Sequence, residues 1–260
     1  MSFTQTIPVS NYLLATLPVK DQEHLLMHCE SVDLHYADIL YLAGEPMPHV
    51  YFPTNSCVCQ VIQLNKDNSL EVGLVGNEGM LGNTLLLGID LAPFQAVVQG
   101  AGSALRITTA VFLDVLQHSP ALQEKLNGYL FVSFTQLAQT AVCNRYHQVE
   151  ARLARWLLMT HDRLHADTFY VTHLFLAHML GVRRVGITKA ALSLQQHNLI
   201  SYRRGHVTIL NRSGLKAMAC SCYASDTEIY QRILGYQPGP NYHWSPFGLS
   251  QSKPLAANLR

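Results

Sequence analysis

Basic and small polar side chains are concentrated in one stretch of the sequence, residues 172–206. The candidates for contact with a polyanion are Thr172, Arg183, Arg184, Val185, Thr188, Lys189, Arg203, Arg204 and His206. A guanidinium group can hold guanine O6 and N7 with two hydrogen bonds, and a valine can contact a thymine methyl group. Basic side chains also bind phosphates. The stretch therefore predicts a surface that binds double-stranded DNA.

Two helical patterns flank a tight turn in this stretch. The first has Thr172 as a candidate N-cap, and it ends at Gly181, where a helix C-terminus favours positive φ. The second covers about residues 183–197, and its apolar positions recur at spacings of three and four: Ile187, Ala190, Ala191 and Leu194. Ala177 is small enough to let the two helices approach. The pattern predicts a helix-turn-helix.

Two β-prone runs, 199–202 and 207–210, follow the second helix around a basic turn that contains Gly205. They predict a hairpin with a basic tip, which converts the helix-turn-helix into a winged helix. Arg184, Val185 and Lys189 are spaced to project from the N-terminal half of the second helix, where a recognition helix meets base edges. The alternative is an ordinary antiparallel helix pair with a solvated charged face. The basic hairpin and the turn glycine disfavour it.

Charge divides the chain unevenly. Residues 1–144 carry 4 Lys and Arg against 12 Asp and Glu, whereas residues 145–216 carry 11 against 3. The formal net charge of +1 hides this contrast. We therefore expect only the C-terminal part to meet polyanions. The sequence has no nucleophile elbow, Walker loop or dinucleotide-binding motif, so it does not predict an enzyme.

Between residues 32 and 107 the sequence consists of short β-prone runs separated by turn signals. The runs are 32–36, 38–42, 50–52, 57–64, 70–75, 96–98 and 103–107. Many short strands at regular spacing predict a β-sandwich or roll. Short helices are expected at 11–17, 19–29 and 109–117. The 260 residues, 48% of them apolar, are enough for two domains with a sizeable core.

A helix of about seven turns is predicted from Pro120 to His147. Its apolar set is Leu122, Leu126, Tyr129, Leu130, Phe134, Leu137 and Val142. A helix this long cannot be covered by one small roll, so we expect it to bridge the domains and to pair with its mate in a homodimer. The predicted domains are a sensor roll (1–118), this helix (119–147), a winged helix-turn-helix (148–222) and a loosely ordered extension (223–260).

The sequence predicts no signal peptide, no membrane-spanning segment and no metal site. The N-terminus has neither a basic n-region nor a long apolar h-region, and no apolar run reaches membrane-spanning length, so we expect a cytoplasmic protein without a membrane partner. Cys57 and Cys59 alternate along a strand and are expected to be buried as small hydrophobic residues. Cys220 and Cys222 could form a redox or metal pair, but two ligands do not make a site, so no metal is predicted.

Three motifs resemble the β-roll of Crp/Fnr transcription regulators: ILYLAGEP (39–46), VYFP (50–53) and EVGLVGNEGMLG (71–82). Residues 177–200 resemble the family's helix-turn-helix, and the resemblance covers about residues 15–215. It implies an α+β protein with a β-roll of the double-stranded β-helix or jelly-roll type, a long dimerisation helix and a C-terminal winged helix-turn-helix. It further implies a homodimer that binds an inverted-repeat operator, with RNA polymerase as a further partner.

The chain departs from the family pattern where a cyclic nucleotide would bind. The candidate effector-pocket residues are Gly82, Asn83, Thr84, Phe94, Gln95 and Leu137. Family members that bind the nucleotide have a glutamate after the glycine and an arginine shortly afterwards, and both are missing. A buried phosphate without a cation is poorly compensated. We therefore predict no response to cyclic AMP and no cofactor, with the effector left open.

The sequence disfavours two other functions, redox sensing through an iron–sulfur cluster and docking on another protein. An iron–sulfur cluster of the family's redox-sensing branch needs cysteines clustered near the N-terminus, and only Cys29 lies there. The other candidate function is a small-molecule-binding β-roll protein whose C-terminal module contacts protein rather than DNA. The basic charge of residues 145–216 disfavours it, because a protein contact does not need that charge. On the recognition helix, Val185 replaces a glutamate common in the family, so a different target sequence is expected.

Overall fold

The computed structural model describes residues 10–65 and 68–237. Two β-sheets form its N-terminal half, and its C-terminal half is mainly helical. The lead-in at residues 1–9 and the tail at residues 238–260 lie outside the described residues, and so do the predictions made for them. None of the described helices combines the length and the apolar character needed to cross a bilayer.

Seven strands build the N-terminal half, one for each β-prone run of the sequence. They are β1 (Glu30–Leu34), β2 (Ile39–Tyr41), β3 (His49–Pro53), β4 (Cys57–Asn65), β5 (Asn68–Val75), β6 (Gln95–Gly100) and β7 (Gly102–Thr108). One sheet has the order β1-β7-β3, and the other has the order β2-β6-β4-β5. Their pairings are antiparallel. The predicted β-roll is confirmed.

Apolar side chains from both sheets fill the space inside the roll. Phe52 on β3 and Ile107 on β7 are buried together with Val98 on β6. Phe112, on α3 (Thr109–His118), closes this core with its ring centroid 6.3 Å from that of Phe52. Each such side chain contributes roughly 1.5–3 kcal/mol by leaving water. The roll therefore has its own hydrophobic core.

Two short helices, α1 (Tyr12–Ala15) and α2 (Val19–Leu26), precede the roll. Asn11 caps α1 by accepting from the Leu14 amide. The same side chain donates from Nδ2 to the carbonyls of Pro53 at 2.9 Å and of Gly79 at 2.8 Å. Both helices are shorter than predicted, but this buried amide attaches the first one firmly to the roll.

The long helix α4 (Pro120–Tyr146) has 27 residues, and Ser119 caps it by accepting from the Leu122 amide. The expectation that its whole apolar set pairs with a second copy is wrong in part. Leu122, Leu126 and Tyr129 are buried in the core of their own roll. The reason is that α4 packs on β5 and on a 3₁₀ helix (Asn83–Leu87), and so covers the roll itself.

The C-terminal half contains the predicted winged-helix elements and one unpredicted strand. Its elements are α5 (Val149–Leu164), β8 (Thr168–Tyr170), α6 (His173–Met179), α7 (Arg184–Gln196), β9 (Ile200–Arg203), β10 (His206–Ile209) and α8 (Arg212–Met218). Strand β8 pairs with β10 and gives the order β8-β10-β9. Helix α5 buries Leu153, Trp156, Leu157 and Met159. The overall fold class is confirmed.

The chain after residue 222 differs from the expectation of a loosely ordered extension as far as residue 237. Helix α9 (Cys222–Leu234) packs against α4. Tyr230, Leu234 and Tyr236 join the core of the roll, and Tyr12 donates to the Leu234 carbonyl at 3.0 Å. Sequence reasoning missed this because the partners of α9 lie far away in the chain. Helix α9 therefore returns from the C-terminal half to the N-terminal half.

Candidate nucleic-acid interface

Helices α6 and α7 are held together by a small set of local interactions. Thr172 Oγ1 caps α6 by accepting from the Phe175 amide at 3.1 Å. Gly181 has φ of +60°, a conformation that glycine adopts at no steric cost, and it ends the first helix. The buried residues of α7 are Ile187, Ala190, Ala191 and Leu194. They are the residues predicted from the spacing, so the opposite face of α7 is left to solvent.

The solvent face of α7 carries the predicted base-reading residues. Arg183, Arg184, Val185, Thr188 and Lys189 are all exposed. Arg183 occupies the N-cap position without a capping hydrogen bond from its side chain. The first amides of α7 are therefore free of side-chain caps, and a helix N-terminus of this kind attracts anions. Positive side chains and the positive end of the helix dipole face the same way.

The hairpin between β9 and β10 has a tight two-residue turn. Arg204 and Gly205 both have positive φ, +50° and +83°. A Cβ atom on Gly205 would lie only 2.6 Å from the Tyr170 ring, so this position requires glycine. Arg203 and His206 pair across the hairpin, and both are exposed together with Arg204. The predicted basic tip is present.

A groove of about 320 Å³ separates the wing from the start of α7. Its lining residues are Tyr170, Thr172, His173, Arg184, Gln195, Tyr202, Arg204 and Gly205. The structure thus brings the predicted residues Thr172, Arg184 and Arg204 to one surface, although they are far apart in the sequence. A phosphate backbone that follows this groove would pass two guanidinium groups.

Sequence reasoning missed His173 and Tyr202 in this groove. His173 Nδ1 lies 3.1 Å from Thr188 Oγ1, and its ring packs edge-on against Tyr202 at 4.6 Å. Partial burial lowers the pKa of His173, and the nearby charge of Arg184 lowers it further. Tyr202 donates to the Val171 carbonyl at 2.5 Å. The two rings therefore hold α6, α7 and the wing together beneath the basic side chains.

The predicted effector-pocket residues lie on three parts of the sensor half. Gly82, with φ of +99°, leads into the 3₁₀ helix that begins with Asn83 and Thr84. Phe94 and Gln95 lie at the start of β6, and Leu137 lies on α4. The Thr84 hydroxyl is buried and has no hydrogen-bond partner within residues 10–65 and 68–237. An arginine is absent from these positions, as the sequence states.

The arrangement of α5 to α8 with the strands β8 to β10 defines a winged helix-turn-helix. Residues 151–218 match the family model described as the Crp-like helix-turn-helix domain. Comparison with curated protein sequences gives no significant match. Residues 151–218 are therefore similar to a Crp-like helix-turn-helix domain.

Solved structures share the fold of this chain over a longer stretch than residues 151–218. FixK2 from Bradyrhizobium japonicum has a TM-score of 0.62 at 13% identity, over 74% of this chain and 98% of that chain. A putative Crp/Fnr regulator from Eubacterium rectale has a TM-score of 0.61 at 14% identity, over 79% and 96%. The c-di-GMP-responsive regulator CLP from Xanthomonas campestris has a TM-score of 0.58 at 17% identity, over 74% and 99%.

At these identities the structural likeness shows the fold alone. Together with the match over residues 151–218, it confirms the resemblance to Crp/Fnr transcription regulators that the sequence motifs indicate.

Proposed function

We propose that this chain is a transcription regulator that binds double-stranded DNA in a sequence-specific manner, as a homodimer in the cytoplasm, where the chromosome lies. The observation that carries the proposal is the exposed face of α7. Arg184, Val185 and Lys189 project there from the N-terminal half of the helix, beside a basic hairpin. A helix of this kind fits the major groove, and the hairpin reaches the adjacent backbone.

The basic residues divide into two roles. Arg184 and Lys189 read base edges, and Val185 contacts a thymine methyl group. Arg203, Arg204 and His206 on the wing bind phosphates, which position the domain without reading sequence. Arg183 and the uncapped amides at the start of α7 add a phosphate contact.

The homodimer is supported by an apolar stripe along the solvent side of α4. Its members recur at spacings of three and four: Phe131, Phe134, Ala138, Val142 and Tyr146. Phe134 and Tyr146 are 70% and 76% exposed in the single chain. An exposed apolar stripe of this kind suits the seam between two paired helices. A two-fold axis along it would place two α7 helices roughly 34 Å apart, on an inverted repeat with half-site centres about 10 base pairs apart.

We also propose that cyclic AMP is not the effector. Asn83, Thr84, Phe94 and Gln95 offer neither a carboxylate for the ribose nor a cation for the phosphate. The competing function, a β-roll that binds a small molecule and docks on protein through the C-terminal module, does not account for the basic face of α7 and the wing. RNA polymerase remains a proposed partner from the family resemblance.

The test measures binding by fluorescence anisotropy in two salt titrations, one on a selected operator and one on random duplex DNA. Arg184→Ala should weaken operator binding by about 1–3 kcal/mol and random binding much less. The matched variant Arg203→Ala should weaken both and reduce the salt slope by about one unit. Equal losses on both duplexes for Arg184→Ala would make it a phosphate contact. Binding of neither duplex by the wild-type protein would refute the proposed function.

A further inference from the structure

Three thiols and one imidazole converge where α4 meets the C-terminal half. The Sγ atoms of Cys143, Cys220 and Cys222 and one ring nitrogen of His147 all lie within 4.8 Å of one another. Cys143 Sγ is 3.5 Å from Cys220 Sγ, and Cys222 Sγ is 3.4 Å from His147 Nδ1. The sequence had shown only the pair Cys220 and Cys222. The fold adds the other two ligands.

These separations are close to the edges of a metal-centred tetrahedron. With zinc–sulfur bonds of about 2.3 Å and zinc–nitrogen bonds of about 2.0 Å, two sulfurs lie about 3.8 Å apart and a sulfur and a nitrogen about 3.5 Å apart. The largest separation in the cluster, at most 4.8 Å, exceeds these edges by only about 1 Å. Small side-chain rotations would therefore complete the coordination.

Local structure holds the four ligands in two pairs. Cys143 and His147 are one helical turn apart at the end of α4, where the His147 amide bonds to the Cys143 carbonyl at 3.1 Å. Cys220 and Cys222 flank the N-cap residue Ser221 of α9, and the Tyr223 amide bonds to the Cys220 carbonyl at 3.1 Å. Cys222 thus begins a helix, where the dipole favours a thiolate.

The surroundings suit negatively charged sulfur. Gln139 Nε2 donates to Cys222 Sγ at 2.9 Å, an outer-shell contact of the kind that orients metal ligands. The three thiols are buried, whereas His147 is half-buried and lies toward solvent. An ion could therefore enter on the side of the imidazole.

We infer that Cys143, His147, Cys220 and Cys222 bind one zinc ion in a tetrahedral site with three thiolates and one imidazole. Soft sulfur ligands and four protein donors favour zinc in a structural role, because no position is left open for water or substrate. A disulfide between Cys143 and Cys220 is the competing state. It requires the two sulfurs to move from 3.5 Å to about 2.05 Å, and it leaves Cys222 and His147 without a role.

The position of the site indicates what the ion does. The chain passes from α4 into α5 at residues 147–149, and it passes from α8 into α9 at residues 219–222. Two ligands therefore lie at each crossing: Cys143 on the last turn of α4 with His147 just after it, and Cys220 with Cys222 at the start of α9. One bound ion would fix both crossings and hold the DNA-binding domain in one orientation against α4. The consequence for DNA affinity rests on the proposed function, but metal binding itself does not.

The experiment uses the full chain, purified under reducing conditions. Elemental analysis should find one zinc per chain. After removal of zinc by a chelator, added Co²⁺ should give thiolate-to-metal charge-transfer bands and the strong ligand-field bands of tetrahedral cobalt, and Zn²⁺ should abolish both. Cys222→Ser should weaken these bands, whereas the matched control Cys29→Ser, at a partly exposed cysteine outside the cluster, should leave them unchanged.

A second variant keeps the result independent of folding defects. His147→Cys should retain metal and shift the cobalt bands toward those of a four-thiolate site. Absence of thiolate-to-cobalt bands in the wild-type protein would overturn the inference. So would a Cys143–Cys220 disulfide in the reduced preparation, or metal uptake that Cys222→Ser leaves unchanged.

DNA binding is then measured on the zinc-loaded and zinc-free protein. A loss of operator affinity on zinc removal, restored by added Zn²⁺, supports the orienting role, and equal affinities overturn that role. The metal readouts need no DNA. A zinc-loaded protein that binds no duplex would therefore refute the proposed function and leave the zinc site standing. A protein that binds its operator without zinc and shows no cobalt bands would refute the zinc site and leave the proposed function standing.

Discussion

Arg163 on α5 and Glu78 in the turn after β5 form a buried ion pair, with Arg163 Nε 2.8 Å from Glu78 Oε1. Arg163 Nε also donates to the Leu74 carbonyl at 3.1 Å. Gly76 allows this close approach, because a Cβ atom there would lie 2.6 Å from the Cβ atom of Arg163. The pair joins the first helix of the DNA-binding domain to the roll, so it is a buried polar connection between the two halves.

Removing one partner of this pair should destabilise the protein strongly. In Glu78→Gln the Arg163 charge stays buried without its counter-charge, which costs about 3–5 kcal/mol. The measurement is the free energy of unfolding in urea. Glu30→Gln is the matched control, because Glu30 pairs with Arg106 at 2.6 Å on the surface and its loss should cost less than about 1 kcal/mol. Equal effects in the two variants would contradict the coupling of the halves through Glu78.

Part of this fold could be read from the sequence and part could not. The helix-turn-helix follows from local signals: the cap Thr172, the turn glycine Gly181 and the apolar spacing along α7. Whether Leu126 or Phe134 faces the same chain or a second copy depends on where the roll lies, and helical spacing does not contain that information. Each of the seven strands of the roll has its own β-prone run in the sequence, whereas the order of the strands in the sheets has no local sequence signal.

The parts of the site that were missed are the parts assembled from distant segments. Cys143 and Cys220 are separated by 77 residues, so the sequence does not show that Cys143 and His147 meet Cys220 and Cys222. His173 is the first residue of α6, and only the tertiary fold brings Tyr202 of the wing against its ring. Tyr230 and Leu234 belong to a core whose other buried members, apart from Tyr236, come at or before Val132. Such relationships are tertiary, and periodicity alone does not reveal them.

A buried carboxyl on β5 should make stability depend on pH. Glu71 accepts from Trp156 Nε1 at 3.1 Å and lies 3.0 Å from Cys59 Sγ, and its burial raises its pKa above the usual 4.5. The unfolded chain then ionises at a lower pH than the folded protein. Stability contributed by the protonated group is present below pH 4.5 and is lost as the pH rises through the raised pKa.

Glu71→Gln should remove this dependence. The free energy of unfolding of the variant, minus that of the wild-type protein, should increase as the pH rises from 4.5 toward neutrality. Urea titrations at several pH values measure it, with the exposed change Glu45→Gln as the control. A difference that stays constant with pH would mean that Glu71 has the same pKa in the folded and unfolded states.

A charge on the α4 stripe should separate the dimer. Phe134 is 70% exposed in the single chain, so Phe134→Glu should leave the monomer fold intact while placing two like charges together in the seam. Sedimentation should show a monomer at micromolar concentration, where we expect the wild-type protein to be a dimer. Met27→Glu, at a residue that is 75% exposed at the end of α2, should remain dimeric. A dimer that persists in Phe134→Glu would place the interface elsewhere.

Thr172 has two candidate roles, which substitution can separate. Its hydroxyl caps α6 through the Phe175 amide, and it also lines the groove beside Arg184. Loss of the cap in Thr172→Ala should cost about 1 kcal/mol, which lowers the melting temperature by about 2–4 °C for a chain of this size. Thr172→Ser should keep the cap and the wild-type melting temperature.

We expect the operator affinity of both variants, measured well below melting, to stay close to wild type, because the capping oxygen is already engaged. If Thr172→Ala instead lowers operator affinity while its melting temperature is unchanged, the hydroxyl serves a phosphate, and the start of α6 belongs to the DNA-contacting surface.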